Sequence, residues 1–136
     1  MKEKVLIVDD HEDILDIISY YLKREGYEVL SATNSNDAIE ILKDNQISAG
    51  VLDIMMPGMD GMDLCKLIRD KYFFPIMFLT AKSGESDKLE GFASGADDYM
   101  VKPFSSKELV ARVKSMIRRS TKYNVKDIDE IRIKNL

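Results

Sequence analysis

Apolar residues along the chain fall into two patterns that alternate as far as about residue 119. Short continuous apolar runs predict buried strands, and apolar residues spaced three or four apart predict helices. Strands are predicted at 4–8, 27–31, the run that ends at Asp53, 76–80 and 98–101. Helices are predicted from 11 to a stop at Gly26, and over 35–45, 61–71, 86–94 and 105–119. The fourth helix should be marginal, because Gly91 within it costs about 1 kcal/mol relative to alanine.

Strict alternation of strand and helix, with strands too apolar to leave one face in water, predicts a doubly wound α/β fold. Such a fold has a parallel sheet covered by helices on both faces. Ligands bind beyond the carboxyl ends of its strands. Five polar residues end or follow the predicted strands, and we expect them to converge there: Asp9, Asp10, Asp53, Thr80 and Lys102.

Composition narrows the possible classes of protein. With 136 residues, 45% of them hydrophobic, one core with a tail is expected. We expect neither a membrane span nor a secretory signal, which favours a soluble cytoplasmic protein. The single cysteine, Cys65, cannot form an internal disulfide, and without a cluster of cysteine and histidine a zinc site is not expected. The net charge of -4 argues against direct DNA binding by bulk electrostatics.

The residues at the predicted strand ends suit phosphoryl chemistry. Carboxylates brought together repel one another, and a divalent cation relieves the repulsion. Mg2+ needs only one or two protein carboxylates and keeps water and phosphate oxygens as its other ligands, which suits Asp10 and Asp53. Lys102 and Thr80 would add a positive charge and a hydroxyl donor beside a phosphoryl group carried by Asp53.

Each of these residues also has an ordinary structural explanation. The first two aspartates could cap the helix that follows, and Asp53 could cap a turn or the next helix. Thr80 could belong to a turn, and Lys102 could be a solvated charge. Their common location at strand ends favours one joint site over these separate roles. His11 could be a metal ligand or a phosphate carrier, but an exposed residue on the first helical turn is the favoured interpretation.

Four motifs resemble those of the receiver domain of bacterial two-component response regulators. They are Val-Asp-Asp at 8–10, Leu-Asp-Ile-Met-Met-Pro-Gly-Met-Asp-Gly at 52–61, Leu-Thr-Ala at 79–81 and Gly-Ala-Asp-Asp-Tyr-Met-Val-Lys-Pro-Phe at 95–104. The resemblance covers residues 1–119 and implies a five-stranded sheet of the flavodoxin/CheY-like order 2-1-3-4-5. It also implies a signalling switch rather than an enzyme, in which Asp53 accepts a phosphoryl group from a sensor histidine kinase.

The resemblance further implies roles for single residues. The implied ligands of Mg2+ are Asp10, Asp53, the backbone carbonyl of Met55 and, through water, Asp9. Thr80 and Lys102 would contact the phosphoryl group. In active members the hydroxyl matching Thr80 moves toward the phosphate and the ring matching Tyr99 rotates inward, which reshapes the face of the fourth helix, fifth strand and fifth helix. The Lys102-Pro103 bond is expected to be cis.

The sequence of residues 95–119 looks most like that of the OmpR/PhoB subfamily. The active form of this subfamily dimerises through the face of the fourth helix, fifth strand and fifth helix. The implied ion pairs between subunits are Lys88 with Glu108 and Asp98 with Arg112, with Asp97 nearby; a solvated charged face is the alternative. Residues 120–136 look like the linker and first strand of the subfamily's winged-helix domain, and are expected to be disordered. DNA would be bound only through that further domain. A stand-alone receiver with a frayed tail is the alternative.

The sequence departs from the receiver pattern at two positions. Gly50, early in a central strand, should leave a packing gap, and His11 stands where an acidic or amide residue is common.

Two other classes of protein fit the sequence less well. Phosphatases of the haloacid dehalogenase type use similar groups but need an acid two residues after the nucleophile, where this chain has Met55. A flavin-binding module would need a phosphate-binding loop after the first strand, where two aspartates would repel the phosphate.

Overall fold

The structure, a computed structural model, describes residues 2–134 of the chain and the side chains as far as residue 121. Five strands alternate with five helices. In chain order they are β1 (Lys4–Val8), α1 (Glu12–Arg24), β2 (Glu28–Ala32), α2 (Ser35–Asp44), β3 (Ala49–Leu52), α3 (Gly61–Arg69), β4 (Ile76–Thr80), α4 (Glu85–Ala93), β5 (Asp98–Val101) and α5 (Ser106–Lys134). Every predicted element is present, with ends within a few residues of the prediction except at the end of α5.

The strands form one parallel sheet in the order β2-β1-β3-β4-β5, as the resemblance implies. At its centre Val8 of β1 lies opposite Leu52 of β3, and farther out Thr80 of β4 lies opposite Val101 of β5. Neighbouring strands therefore end at nearly the same level. The polar residues at and after these ends meet at one edge of the sheet.

Two apolar layers cover the sheet and confirm the doubly wound architecture. One layer packs the sheet against α1 and α5, and the other packs it against α2 and α3. Consecutive residues of β1, Leu6 and Ile7, belong to different layers, and both are fully buried. The continuous apolar runs in the sequence follow from this burial on both faces of the sheet.

Gly50 leaves no gap in the core, contrary to the expectation from sequence. A Cβ atom at this position would lie 3.1 Å from the ring of Phe74, which fills the space. Phe74 belongs to the segment between α3 and β4 and is itself buried. The glycine and the ring are therefore complementary, although 24 residues of chain separate them.

Some apolar residues that lie at helical spacing in the sequence are exposed in the structure. On α4 the buried residue is Gly91, whereas Leu89 and Phe92 are 64% and 46% exposed. On α1 Ile17 is 44% exposed, and Leu15 takes the inward position instead. Helix α4 in particular has few apolar side chains in the core, in agreement with the prediction that it is marginal.

Arg69, the last residue of α3, connects the end of α4 to the sheet. Its guanidinium donates to the carbonyl oxygens of Phe74 and Gly95, at 2.6 and 2.8 Å, and to the carboxylate of Asp97 at 2.7 Å. Asp97 in turn accepts from the backbone N–H of Ile76 at 2.9 Å. Gly95 has φ of +112°, and a Cβ there would lie 2.6 Å from Arg69 Cγ, so only glycine fits.

Helix α5 is longer than predicted. It was expected to end near Arg119, but it continues to Lys134. The chain has no glycine or proline after residue 103, so no strong helix breaker interrupts it. The predicted disordered linker and strand are helical as far as the description extends, and residues 135–136 lie outside it. No helix in the described part, α5 included, is long and apolar enough to cross a membrane.

Candidate functional site

The carboxyl ends of β1, β3 and β5 bring carboxylates and an ammonium group together. Lys102 Nζ donates to Asp9 Oδ2 at 2.8 Å and to Asp53 Oδ2 at 3.1 Å. Carboxylate oxygens of Asp9, Asp10 and Asp53 lie within 4.8 Å of one another. The structure thus brings these four predicted residues together at one edge, while the roles assigned to them stay predictions.

The ammonium group of Lys102 is charged in this setting. The side chains of Asp9 and Asp53 are 4% exposed, and that of Lys102 is 17% exposed. Burial alone lowers the pKa of Lys102, but its hydrogen bonds to Asp9 and Asp53 outweigh burial and raise the pKa above its ordinary value of 10.5. The stability contributed by this pairing is therefore present below the ordinary pKa and is lost as pH rises through the raised one.

The backbone around Asp53 is fixed by its neighbours in the sheet and in α3. Its N–H donates to the carbonyl of Val8 at 2.9 Å, and its Oδ1 accepts from the N–H of Met55 at 3.2 Å. A Cβ atom on Gly61 would overlap the carbonyl oxygen of Asp53. The first residue of α3 therefore packs directly on the backbone of Asp53, which explains the glycine that ends the motif at 52–61.

Asp10 presents a carboxylate oxygen that suits a cation. Its Oδ1 atom is buried and has no hydrogen-bond partner among the described residues, although the side chain as a whole is 29% exposed. A buried anionic oxygen without a partner is costly, and a hard cation satisfies it. Carboxylate oxygens are ligands that Mg2+ accepts, so Asp10 and Asp53 fit this ion, while the role of the Met55 carbonyl stays a prediction.

His11 is the N-cap residue of α1 and contacts both aspartates before it. Its backbone N–H donates to Asp9 Oδ1 at 2.9 Å. Its ring Nδ1 lies 3.2 Å from Asp9 Oδ1, within hydrogen-bonding geometry, and 3.1 Å from Asp10 Oδ1, outside that geometry. The side chain is 66% exposed, as predicted. The sequence did not predict its contact with the carboxylates, for which the only signal is adjacency in the chain.

Thr80 and Tyr99 both bond to the backbone of Lys82, in the loop between β4 and α4. The hydroxyl of Thr80 is buried and accepts from the N–H of Lys82 at 3.4 Å; in the described part of the chain no hydrogen bond joins it to the carboxylates. The hydroxyl of Tyr99 donates to the carbonyl of Lys82 at 2.7 Å. With its ring buried, Tyr99 points inward, which spacing alone left open.

The ring of Tyr99 occupies space that Gly91 leaves free. A Cβ atom at Gly91 would lie 3.0 Å from the Tyr99 ring and 3.1 Å from that of Phe78. The Tyr99 ring also lies beside Phe92, with 6.3 Å between centroids. From sequence Gly91 was only a weak point of a helix. In the structure it lets α4 approach the ring, a role visible only once the two elements are packed.

Four of the five residues predicted for a dimer face, all except Lys88, form ion pairs within the described part of the subunit. Arg112 donates to Asp98 Oδ1 at 2.7 Å and to Glu108 Oε1 at 2.9 Å. Lys88 is exposed on α4, and Asp97 is bound by Arg69 as described above. Because Arg112 already holds Asp98 and Glu108, pairing between subunits would require these contacts to rearrange, and that pairing stays a prediction. The Lys102-Pro103 bond is cis, as expected.

Comparison with known proteins shows the family. The pattern of the response regulator receiver domain matches residues 5–114. The chain is similar to the receiver domain of the Francisella response regulator 1452, at 34% identity and a TM-score of 0.83, over 88% of this chain and 99% of that one. It is also similar to the Vibrio cholerae chemotaxis protein CheY4, at 33% identity and a TM-score of 0.81, over 85% of this chain and 99% of that one. A third similar structure is DrrB of Thermotoga maritima, an OmpR/PhoB homologue, at 32% identity and a TM-score of 0.81, over 88% of this chain and 54% of that one.

This chain belongs to the response regulator receiver domain family, and its fold is the CheY-like form of the flavodoxin fold. Receiver domains are phosphoacceptor switches of two-component signalling rather than typical enzymes. They bind Mg2+ in an acidic pocket and interact with sensor histidine kinases. The cluster at the carboxyl edge of the sheet has the composition of such a pocket.

Proposed function

We propose that Asp53 is the phosphoacceptor of this receiver and takes its phosphoryl group from a phosphohistidine on a sensor histidine kinase. The observation that supports this most is the bridge made by the Lys102 ammonium between Asp9 and Asp53, near an Asp10 Oδ1 that has no hydrogen-bond partner among the described residues. A positive charge and an oxygen that suits a cation flank one carboxylate. That arrangement suits a group which becomes more negative when it is phosphorylated.

In the proposed transfer a carboxylate oxygen of Asp53 attacks the phosphorus, and the phosphorus–nitrogen bond breaks. The electron pair of that bond returns to the imidazole, which takes up a proton, and Asp53 becomes an acyl phosphate. Mg2+, when bound, supplies positive charge to the phosphoryl oxygens; Asp10, Asp53 and the Met55 carbonyl would hold it, with Asp9 acting through water. Lys102 turns from the Asp53 carboxylate to the phosphoryl oxygens.

Phosphorylation would act on the loop between β4 and α4. The phosphoryl group carries about 1.5 to 2 negative charges at neutral pH, and because Asp53 gives up its own carboxylate charge, the side chain becomes more negative by about 0.5 to 1 charge. The hydroxyl of Thr80, now held by a long contact of 3.4 Å to Lys82, can move to a phosphoryl oxygen. Tyr99 holds the carbonyl of the same residue, so a shift of this loop reaches the ring and then α4. Poorly packed elements are the ones that move in such transitions.

The output we propose is dimerisation through α4, β5 and α5, followed by transcriptional control through a DNA-binding domain connected after about residue 119. Exposed apolar side chains on α4, Leu89 and Phe92, and the ionic residues Asp98, Glu108 and Arg112 support this face. DrrB supports the OmpR/PhoB assignment by similarity, and this chain spans 54% of its length. Residues 120–136 would belong to the connection.

A phosphatase that releases phosphate repeatedly is disfavoured by one residue. Such an enzyme needs an acid close to the nucleophile to protonate the leaving group, and the matching position holds Met55. The described site therefore has the groups for accepting a phosphoryl group but lacks that acid. We expect slow loss of the phosphoryl group and storage of the signal.

Phosphorylation by a small-molecule phosphodonor tests the assignment of Asp53. With Mg2+ present, intact-mass measurement should show one added phosphoryl group on the wild-type chain and none on Asp53→Asn. Asp63→Asn is the matched control, because it makes the same change at an exposed residue of α3 and should be modified like the wild type. Equal modification of Asp53→Asn would contradict the proposal.

A further inference from the structure

We infer that His11 makes this acidic site a binding site for borderline divalent cations of the Zn2+, Ni2+, Co2+ and Cu2+ class, with the ring Nδ1 as a ligand. The inference rests on the proposed magnesium site and concerns which other cations the same site accepts. The sequence predicts no zinc site, since cysteine and histidine do not cluster. The structure instead places carboxylates on one side of a single histidine, within 4.8 Å of one another and of a ring nitrogen: Asp9, Asp10 and Asp53.

The spacing of the donor atoms fits a coordination shell. Nδ1 of His11 lies 3.2 Å from Asp9 Oδ1 and 3.1 Å from Asp10 Oδ1. Nitrogen and oxygen ligands bind Zn2+ at about 2.0–2.2 Å, so two ligands at neighbouring positions of the shell lie about 3 Å apart. Both carboxylate oxygens thus lie at the separation from Nδ1 that neighbouring ligands have.

Hydrogen bonding leaves these donors directed at one another. Lys102 donates to the Oδ2 atoms of Asp9 and Asp53. The other oxygen of Asp9, Oδ1, faces His11. Oδ1 of Asp10 is buried beside the ring nitrogen but makes no hydrogen bond to it or to any other described residue. A cation between the ring and Asp10 would satisfy this oxygen.

The ring of His11 is available for this role. Its side chain makes no capping hydrogen bond to α1, and its backbone N–H donates to Asp9 Oδ1. An imidazole nitrogen favours Zn2+, Ni2+ and Cu2+, whereas Mg2+ prefers oxygen alone. When such a cation binds, any proton on Nδ1 is released to solvent. His11 therefore adds affinity for borderline cations and little for Mg2+.

The chain contains one histidine, which makes a spectroscopic test specific. Untagged protein loaded with one equivalent of Cu2+ should show, in electron spin echo spectra, the modulation from the remote nitrogen of a bound imidazole. His11→Asn should abolish it. Asparagine is a good N-cap residue, so the variant keeps the start of α1, as circular dichroism can verify.

Calorimetric titration measures the affinity of the wild type and the variants for each cation. Residues that only orient a ligand typically change metal affinity about ten- to hundredfold. Loss of a ligand should therefore weaken Ni2+ or Zn2+ binding to His11→Asn by about tenfold or more, with Mg2+ binding changed by less than about twofold. Asp10→Asn, the matched control, should weaken binding of both classes of cation if they share one site.

The outcomes separate this inference from the proposed function. If the imidazole modulation is absent from the wild type, or if His11→Asn binds Ni2+ as well as the wild type does, the inference is wrong while the magnesium site stands. An equal loss for Mg2+ and Ni2+ would also overturn it, because His11 would then only orient Asp10. If Asp10→Asn and Asp53→Asn both leave Mg2+ binding unchanged, the proposed magnesium site itself is wrong.

Discussion

The carboxyl edge of the sheet and helix α4 are held in opposite ways. At the edge, buried charged groups bond to one another, and the backbone of Asp53 is fixed by Val8 and packed against Gly61. In α4 the buried residue is a glycine, and the large apolar side chains Leu89 and Phe92 are exposed. This difference suits the proposed function, in which the chemistry would need fixed geometry and the response would need an element with little packing to lose.

Between these two regions, the larger expected effect of a substitution on stability is at the edge of the sheet. Lys102→Met would leave Asp9 and Asp53 buried without their cation, and breaking a buried pair in this way costs about 3 kcal/mol. Urea unfolding in the presence of a chelator should show the loss. Added Mg2+ should restore part of it, because the ion replaces the missing positive charge.

Lys43→Met is the matched control for that experiment. Lys43 pairs with Glu40, but both side chains are exposed, so the same change should leave stability unchanged within error. If Lys102→Met is as stable as the wild type without Mg2+, the edge is not held by the ammonium group. The contrast with α4 would then need another explanation.

A smaller effect is expected where α4 meets the sheet. Gly91→Ala favours the helix by about 1 kcal/mol, but its new methyl group would press on the rings of Tyr99 and Phe78, and overpacking costs about 1–3 kcal/mol. We expect a net loss of about 1 kcal/mol in urea unfolding. In a Tyr99→Ala background the same change should cost clearly less, because one of the two rings is gone. Equal costs in both backgrounds would contradict the contact.

The smallest effect on stability is expected on the outer face of α4. Leu89→Ser should change the free energy of unfolding by less than about 0.5 kcal/mol, because the side chain is already exposed. Ile68→Ala, a truncation of a fully buried residue of α3, should cost about 2–5 kcal/mol. Sedimentation should nevertheless show less dimer of Leu89→Ser than of the wild type after full phosphorylation. An unchanged dimer population would count against the proposed face.

Local periodicity was sufficient to predict the sheet and the residues at its edge. In a parallel sheet the residue after each strand lies at the ligand-binding edge, so Asp53 and Lys102 could be placed together although 49 residues separate them. The contact of His11 with its neighbours could not be predicted in this way. It depends on the backbone angles at the start of α1, which the apolar pattern does not specify.

Contacts between elements were the part that the sequence could not supply. Gly50 was expected to leave a packing gap, because Phe74, which fills the space, belongs to a segment without a clear helix or strand pattern. Gly91 looked like a weakness because the orientation of α4 over Tyr99 was unknown. The end of α5 was misplaced for a different reason: a resemblance to linkers suggested a break, whereas the residues after Arg119 include neither glycine nor proline.

The bonds of Arg69 restrain the chain just beyond the C-terminal end of α4. This side chain fastens the carbonyl of Gly95 and the carboxylate of Asp97, just beyond the C-terminal end of the helix, to α3 and β4. The N-terminal end at Glu85 follows the loop that contains Lys82. A rotation of α4 would therefore have its pivot near Gly95, and displacement would grow along the helix axis toward Glu85. Residues in the first turn of α4 would travel farthest, and a distance probe placed there would report the switch with the largest amplitude.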